Sequence, residues 1–583
     1  MITVAASVLL FSLVLSPVVF AQSATPGKSA EQLAVQRGQE AFQQGDLSTA
    51  KAQFEKAVRL APNSAQAQSA LGVILEQQGD LEAAVLHLKI AAKAAPSSAE
   101  VGLALARVLA QQGKSADAEE EVRAVVKASP RDAEAHRILA RMLAQRGAQD
   151  ESLAEIRRAV ELAPQRADLQ DDLGNILAQQ KNFDEAQGAF QQAIRLQPNY
   201  APAHFHLGVI YWQANKVDDG YAELSKAVEL APQDAAAHYY LAKVLTAQSK
   251  NGDALDQLRK AAALRPAWFE LQIDLGLASQ RAGDGDAAAA AFGEAIKLRP
   301  QDAEAYNDLG LALIQKGDAQ GSIEQFKTAT KLRPEDGAIR GNLGIAYMQR
   351  ADFDAAITEL DAAIKLAPEN APLHYNLGLA YKLKDQFEPA VAEFAAALKL
   401  QPELSDAHYT LGVLYWQKGD FDKAAAELKL AIQGQPNYAE AHYTLGTVYK
   451  QQGNLADAAA ELREAIRLQP DFAGAHTTLA AVLRQSGDAE GAAQEAREGA
   501  RIAASTNNLQ AATFATNSGK RLLGVGDVDG AISQFRSAIS SQPNYAAAHY
   551  QLGLALKQKG WKEEAQAEFQ KAVEIDPHLS PPN

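Results

Sequence analysis

The chain of 583 residues has no cysteine, three methionines and four tryptophans. Without cysteine there is no disulfide framework, zinc–thiolate site, iron–sulfur cluster or thiol nucleophile. Basic residues are also in deficit: 56 Lys and Arg face 71 Asp and Glu, for a net charge of −15. That balance suits a nucleic acid backbone poorly, because phosphates call for a local excess of Lys and Arg. Beyond the first twenty residues no apolar run is long enough to cross a membrane. Proline (22) and glycine (39) are spread thinly, and hydrophobic residues make up 47% of the chain. The composition is that of a folded protein, neither disordered nor collagen-like.

Residues 1–21 carry no charge, and the first charged side chain is Lys28. The apolar run ends in Val19-Phe20-Ala21, with the small residues that a signal peptidase needs. No Lys or Arg precedes the run, as one ordinarily would, and some twenty apolar residues could also span a bilayer. Pro17 and the cleavage-like end favour a signal peptide at 1–21 over a retained inner-membrane anchor. The mature chain is then expected to be exported, periplasmic or secreted. Residues 22–30 would be a linker, and membrane contact would come only from an uncleaved N-terminal segment.

Thirteen prolines, from Pro62 to Pro470, recur every 34 residues, and the beat resumes at Pro543 and Pro577. With proline as position 32, thirteen repeats fill 31–472, an irregular one fills 473–511, two more fill 512–579, and 580–583 is a tail. The repeat at 405–438 shows the physical pattern. Leu411, Gly412 and Tyr415 share one face of a first helix. Gly419-Asp420 ends that helix and starts the next. Ala424, Leu428 and Ala431 line the second helix, and Pro436 ends it. Two antiparallel helices cannot enclose a core alone, so neighbouring repeats must stack. Position 8 is Gly or Ala in all sixteen repeats, and positions 20 and 27 are Ala with few exceptions, which marks close approach between helices. In the irregular repeat the second helix reads as extended and as ending at Thr506-Asn507-Asn508, where the array is expected to kink.

Leu411-Gly412-x-x-Tyr415, with Ala424, Ala431 and Pro436, resembles the tetratricopeptide repeat, and the resemblance runs over 31–579. It implies an all-α fold, a right-handed superhelical α-solenoid of tandem helix-turn-helix repeats. First helices would line a concave groove, faced by positions 2, 5, 9, 12 and 13. Position 4, often Trp in that family, is commonly His here.

Eight of the eleven histidines stand at position 4: His136, His204, His238, His374, His408, His442, His476 and His549. Neighbours in such a column lie roughly 10 Å apart, too far to share an ion held by bonds of about 2 Å, so they are expected to pack, not to bind metal. No nucleophile elbow, zincin or phosphate-loop motif occurs, and Gly283-Asp284-Gly285-Asp286 lacks the later ligands of a calcium loop. The reading is a protein without cofactor or catalytic site. Candidate groove anchors are Phe205, Tyr239, Tyr375, Tyr409 and Tyr443 at position 5 and Trp212 and Trp416 at position 12, since aromatics dominate protein interfaces. Lys382 and Lys450 are candidates to meet acidic groups. Positions 5, 9 and 12 carry nine bases against two acids, so the groove is expected to be positive although position 2 is acidic.

The function this implies is a protein–protein interaction scaffold binding peptide or helical segments of partners in the groove, with no nucleic acid partner. The alternative is a structural or assembly component of a cell-envelope secretion or polymer-export complex, binding through the convex face. No capping helix follows the last repeat. Phe569 and its neighbours are therefore expected either to lie at the surface or to dock on a partner or a second copy.

Overall fold

A computed structural model of the protein describes residues 29–579. The proposed leader 1–21, most of the 22–30 linker and the 580–583 tail lie outside the described residues. Ser29 caps the first helix, and its side chain and that of Gln32 each bond the other's backbone N–H. The packing divides into two units, Met1–Pro300 and Gln301–Asn583. Among the described residues there are thirty-one helices and no strand. Each unit is a solenoid of tandem helix-turn-helix repeats, here numbered 1 to 16 along the chain.

The turn between the two helices of a repeat follows from one backbone requirement. Position 15 is left-handed in every repeat. Glycine fills it in eleven, while Lys181, Asn215, Ser249, Ala351 and Asp385 hold φ between 57° and 64°. Aspartate often follows and caps the second helix: Asp420 accepts from the Lys423 backbone N–H at 3.3 Å. The second helix of that repeat runs Phe421–Gly434 and stops two residues before Pro436.

Position 24 of the second helix lies on position 8 of the first. A Cβ built on Gly276 would meet the Phe292 ring at 2.5 Å, and one on Gly310 would meet Phe326 at 2.6 Å. Wherever position 24 is Phe, position 8 is Gly; where position 24 is Val122, Ile156 or Ala496, position 8 is Ala. The largest ring at position 24 is thus matched by the smallest residue at position 8, as close-packed interiors require. A second exchange occurs in repeat 3. Val125 replaces the usual Ala at position 27, and Gly102 at position 4 makes room for it.

The irregular repeat differs from the sequence expectation. Its second helix does not end at Thr506-Asn507-Asn508. A single helix of 36 residues, Ala489–Gly524, joins the second helix of repeat 14 to the first helix of repeat 15. No glycine or proline stands between Ala500 and Gly519, so nothing in the backbone breaks the hydrogen-bond ladder. Residues 503–511 are exposed on every side, and packing resumes at Ala512. The C-terminal end also corrects the expectation. Phe569 is 3% exposed, because its ring lies over Gly553 in its own repeat and 5.5 Å from the Tyr550 ring. Phe569 is therefore not a surface side chain, while Trp561 of the same repeat is 41% exposed.

Candidate functional site

The position-4 histidines are fasteners. Nε2–H of His442 donates to the Pro436 carbonyl at 3.1 Å, and Nδ1 faces the Glu461 carboxylate at 2.6 Å. His136, His204, His374, His408, His476 and His549 repeat this geometry, each with the proline before it and a glutamate on its own second helix. His238 does so with Gln257 in place of glutamate. In repeat 2 the pair is exchanged: Gln68 bonds the Pro62 carbonyl and faces His87 at 2.6 Å. Each position-4 imidazole ties the two helices of its repeat to the preceding loop, and both of its nitrogens are engaged.

The first helices present the candidate binding face. In the N-terminal unit its bases are already neutralised. Arg107 makes a two-pronged contact with Glu76, at 2.7 and 2.6 Å. Arg137 and Arg141 converge on Asp172, whose side chain is 7% exposed. The Lys243 ammonium lies 2.6 Å from Asp274, which also accepts from the Tyr239 hydroxyl at 2.6 Å. His206 meets Asp171 at 2.8 Å. Burial works against protonation of His206, but Asp171 more than offsets it and holds the imidazole above its ordinary value. The expected positive groove is thus corrected in this unit. Acids at position 6, Asp172 and Asp274, were outside the three positions counted, and they reach bases 31 and 35 residues away.

The aromatic candidates separate in the same way. Tyr239 is 7% exposed, with its ring 4.5 Å from Trp268. It belongs to the packing, and burial with Asp274 nearby pushes its hydroxyl well up. Phe205 and Trp212 are half-buried, each edge-on to Tyr240 at 5.7 Å. In the C-terminal unit Tyr375, Tyr409, Trp416 and Tyr443 are half-buried on the same helical positions. Tyr409 rests on Tyr438 at 4.9 Å and Tyr443 on Phe472 at 4.7 Å. These supporting rings at position 34 were missed in the sequence. The signal was present, as an aromatic 29 residues after another in Tyr239/Trp268, Tyr409/Tyr438 and Tyr443/Phe472.

Lys382 and Lys450 lie half-buried on this face with no carboxylate within ion-pair distance. Burial alone holds the Lys382 ammonium below its ordinary value. Leu383, next to it, is 52% exposed.

Models described as tetratricopeptide repeat match residues 35–99, 103–167, 172–235, 211–267, 273–337, 384–439 and 516–580, and a further one matches 415–471. A TPR repeat model matches 344–385. No curated protein matches the chain. Among solved structures, YrrB, a TPR protein with an unusual peptide-binding site, is 24% identical over 32% of this chain and 97% of its own, with a TM-score of 0.28. MamA is 27% identical over 28% of this chain and 96% of its own, with a TM-score of 0.27. Yeast Tom70 is 19% identical over 76% of this chain and 98% of its own, with a TM-score of 0.29.

Proposed function

The chain belongs to the tetratricopeptide repeat family, and from that premise we propose that it is a non-enzymatic scaffold that takes peptide or helical segments of partner proteins on its first-helix face. The observation that carries this reading is the set of half-buried aromatics, Phe205, Trp212, Tyr375, Tyr409, Trp416 and Tyr443, on equivalent positions of the first helices. One side of each ring packs against the solenoid, and the open side is available to a partner. Rings of this kind supply large contact area at little side-chain entropy. The apolar segment 1–21 supports an exported setting, so the partners to seek are envelope or secreted proteins.

The test is cross-linking of the full chain in its host envelope fraction, followed by mapping. Cross-links should fall on first helices, and Trp212→Ala/Trp416→Ala should cut capture of the cross-linked partner, by about 2 kcal/mol for each ring that is a hot spot. Cross-links confined to second helices, with capture unchanged in the double variant, would reject the assignment.

A further inference from the structure

Position 12 of four successive repeats in the C-terminal unit reads Lys382, Trp416, Lys450 and Arg484. Unlike the bases of the N-terminal unit, none of the three cations makes an ion pair. The cause lies one column over. Position 6, which supplies Asp172 and Asp274 to the earlier repeats, is here Asn376, Thr410, Thr444 and Thr478, and position 9 is Leu379, Val413, Thr447 and Ala481. The acids left on these first helices, Asp406 and Glu440, stand at helix starts, and Asp406 accepts from the Tyr438 hydroxyl at 3.2 Å. A chain of charge −15 thus carries an unneutralised basic strip, interrupted by one indole and flanked by the exposed Leu383.

We propose that repeats 11 to 14 hold an extended acidic segment of a partner polypeptide, with carboxylates on Lys382, Lys450 and Arg484 and an apolar side chain against Trp416 and Leu383. The proposal rests on the first-helix binding face argued above and adds its chemistry. Spacing supports it: repeats advance by roughly 10 Å, and an extended chain rises about 3.3 Å per residue, so every third residue of the ligand meets one repeat. A nucleic acid fits less well. A duplex carries one phosphate per strand for about every 3.4 Å of its axis, so two of three would lie unmatched above an acidic protein. Burial without a counter-ion has already taken part of the hydration of Lys382, and an arriving carboxylate would find it poorly solvated.

The probe is a labelled synthetic peptide, Glu-Ser-Ser-Leu-Ser-Ser-Glu-Ser-Ser-Glu, with a control in which Gln replaces every Glu, titrated by anisotropy against the full chain at low salt. The Glu peptide should bind about tenfold more tightly than its control and weaken as salt rises. Lys382→Glu/Lys450→Glu/Arg484→Glu should lose about tenfold or more. The charge-matched Lys331→Glu/Lys365→Glu/Lys399→Glu, on exposed positions of second helices, should stay within about twofold. Circular dichroism should show both triple variants as helical as the parent. Equal losses in the two triples, equal binding of the two peptides, or displacement of the Glu peptide by an oligothymidine at equal charge would each overturn the proposal. If the control peptide binds as well as the Glu peptide and Trp416→Ala abolishes both, the acidic ligand fails while the first-helix face stands. If no peptide binds and cross-links fall on second helices, both fail.

Discussion

At the scale of single residues, the repeat is governed by pairs, not by a consensus. Gly276 and Phe292 are one pair: the missing Cβ is the space the ring occupies, with three ring carbons at 2.5 to 2.7 Å from where it would stand. A rigid ring cannot give way as a flexible chain end can. Gly276→Ala should therefore cost about 1–3 kcal/mol through overpacking despite the higher helix propensity of alanine. Adding Phe292→Val recreates the pair found at Ala106 and Val122, so the double variant should be less destabilised than the sum of the singles by about 1 kcal/mol or more. Urea unfolding of the four proteins of this cycle checks it, and strict additivity would refute the coupling. The same logic decides what was legible. Small residues at position 8 could be read from the sequence as a schedule of close approach. Their partner could not, because it sits on another helix sixteen residues away and is recognised only when the ring is seen lying on the glycine.

At the scale of elements, punctuation explains both the success and the failure of the sequence reading. Fifteen of the sixteen second helices have a proline two residues beyond their last turn and most turns carry glycine, so local chemistry alone marks nearly every boundary. Thr506-Asn507-Asn508 looked like a stop because asparagine and threonine are weak helix formers. Weak propensity without a proline, a left-handed residue or a competing cap does not end a helix held by packing at both ends. Ile502 and Ala512 are buried on either side of an exposed stretch, so the helix is a bridge. Asn508→Pro should break it at small cost to either flank, since the ring would clash with the Ala504 carbonyl and remove one backbone bond, about 3 kcal/mol in a helix interior. Hydrogen exchange should then show residues 512–579 opening independently of repeats 11 to 13. In Asn508→Ala, which favours the helix, the two should remain coupled. If Asn508→Pro leaves exchange across 489–524 unchanged, the bridge is not what couples them. Charge was less legible than helices for a related reason. Ion pairs join neighbouring repeats, position 5 or 9 to position 6 of the next or, for Arg107 and Glu76, position 9 to position 12 of the one before, so columns counted singly cannot give the sign of a surface.

At the scale of the whole molecule, four groups make stability fall as pH rises from acid to neutral: His206 and the partly buried carboxyl of Glu121 in the N-terminal unit, and the partly buried carboxyls of Asp308 and Asp361 in the other. His206 is held above its ordinary value against Asp171, so its contribution is complete below about pH 6.5 and is lost as pH climbs through the folded value. Asp308 moves in the same direction for a different reason. Burial, only partly countered by a hydrogen bond from Asn307, pushes its carboxyl up to about 6, so the ionised form is the costly one. That cost is absent below about pH 4 and fully present above about 6. On the acid side the opposite sign operates. Arg350, Lys418 and Arg467 hold Asp352, Glu388 and Glu464 below the usual carboxylate range, and that stabilisation disappears as protons titrate them. Self-repulsion of the net charge also fades toward the isoelectric point near 5.3. Thermal stability should therefore peak between about pH 4 and 6, well below neutrality. The two alkaline limbs can be read apart, because Trp212 and Trp268 lie in the N-terminal unit and Trp416 and Trp561 in the other. With one pair replaced by Phe at a time, His206→Gln should flatten the pH 6 to 8 limb reported by the N-terminal tryptophans. Asp308→Asn should raise the C-terminal transition at pH 7 by about 1 kcal/mol, after screening of a half-exposed group, and leave it unchanged at pH 4. A stability maximum at or above pH 7 in the parent, or a gain from Asp308→Asn that persists at pH 4, would mean that His206 and Asp308 do not set the alkaline limb.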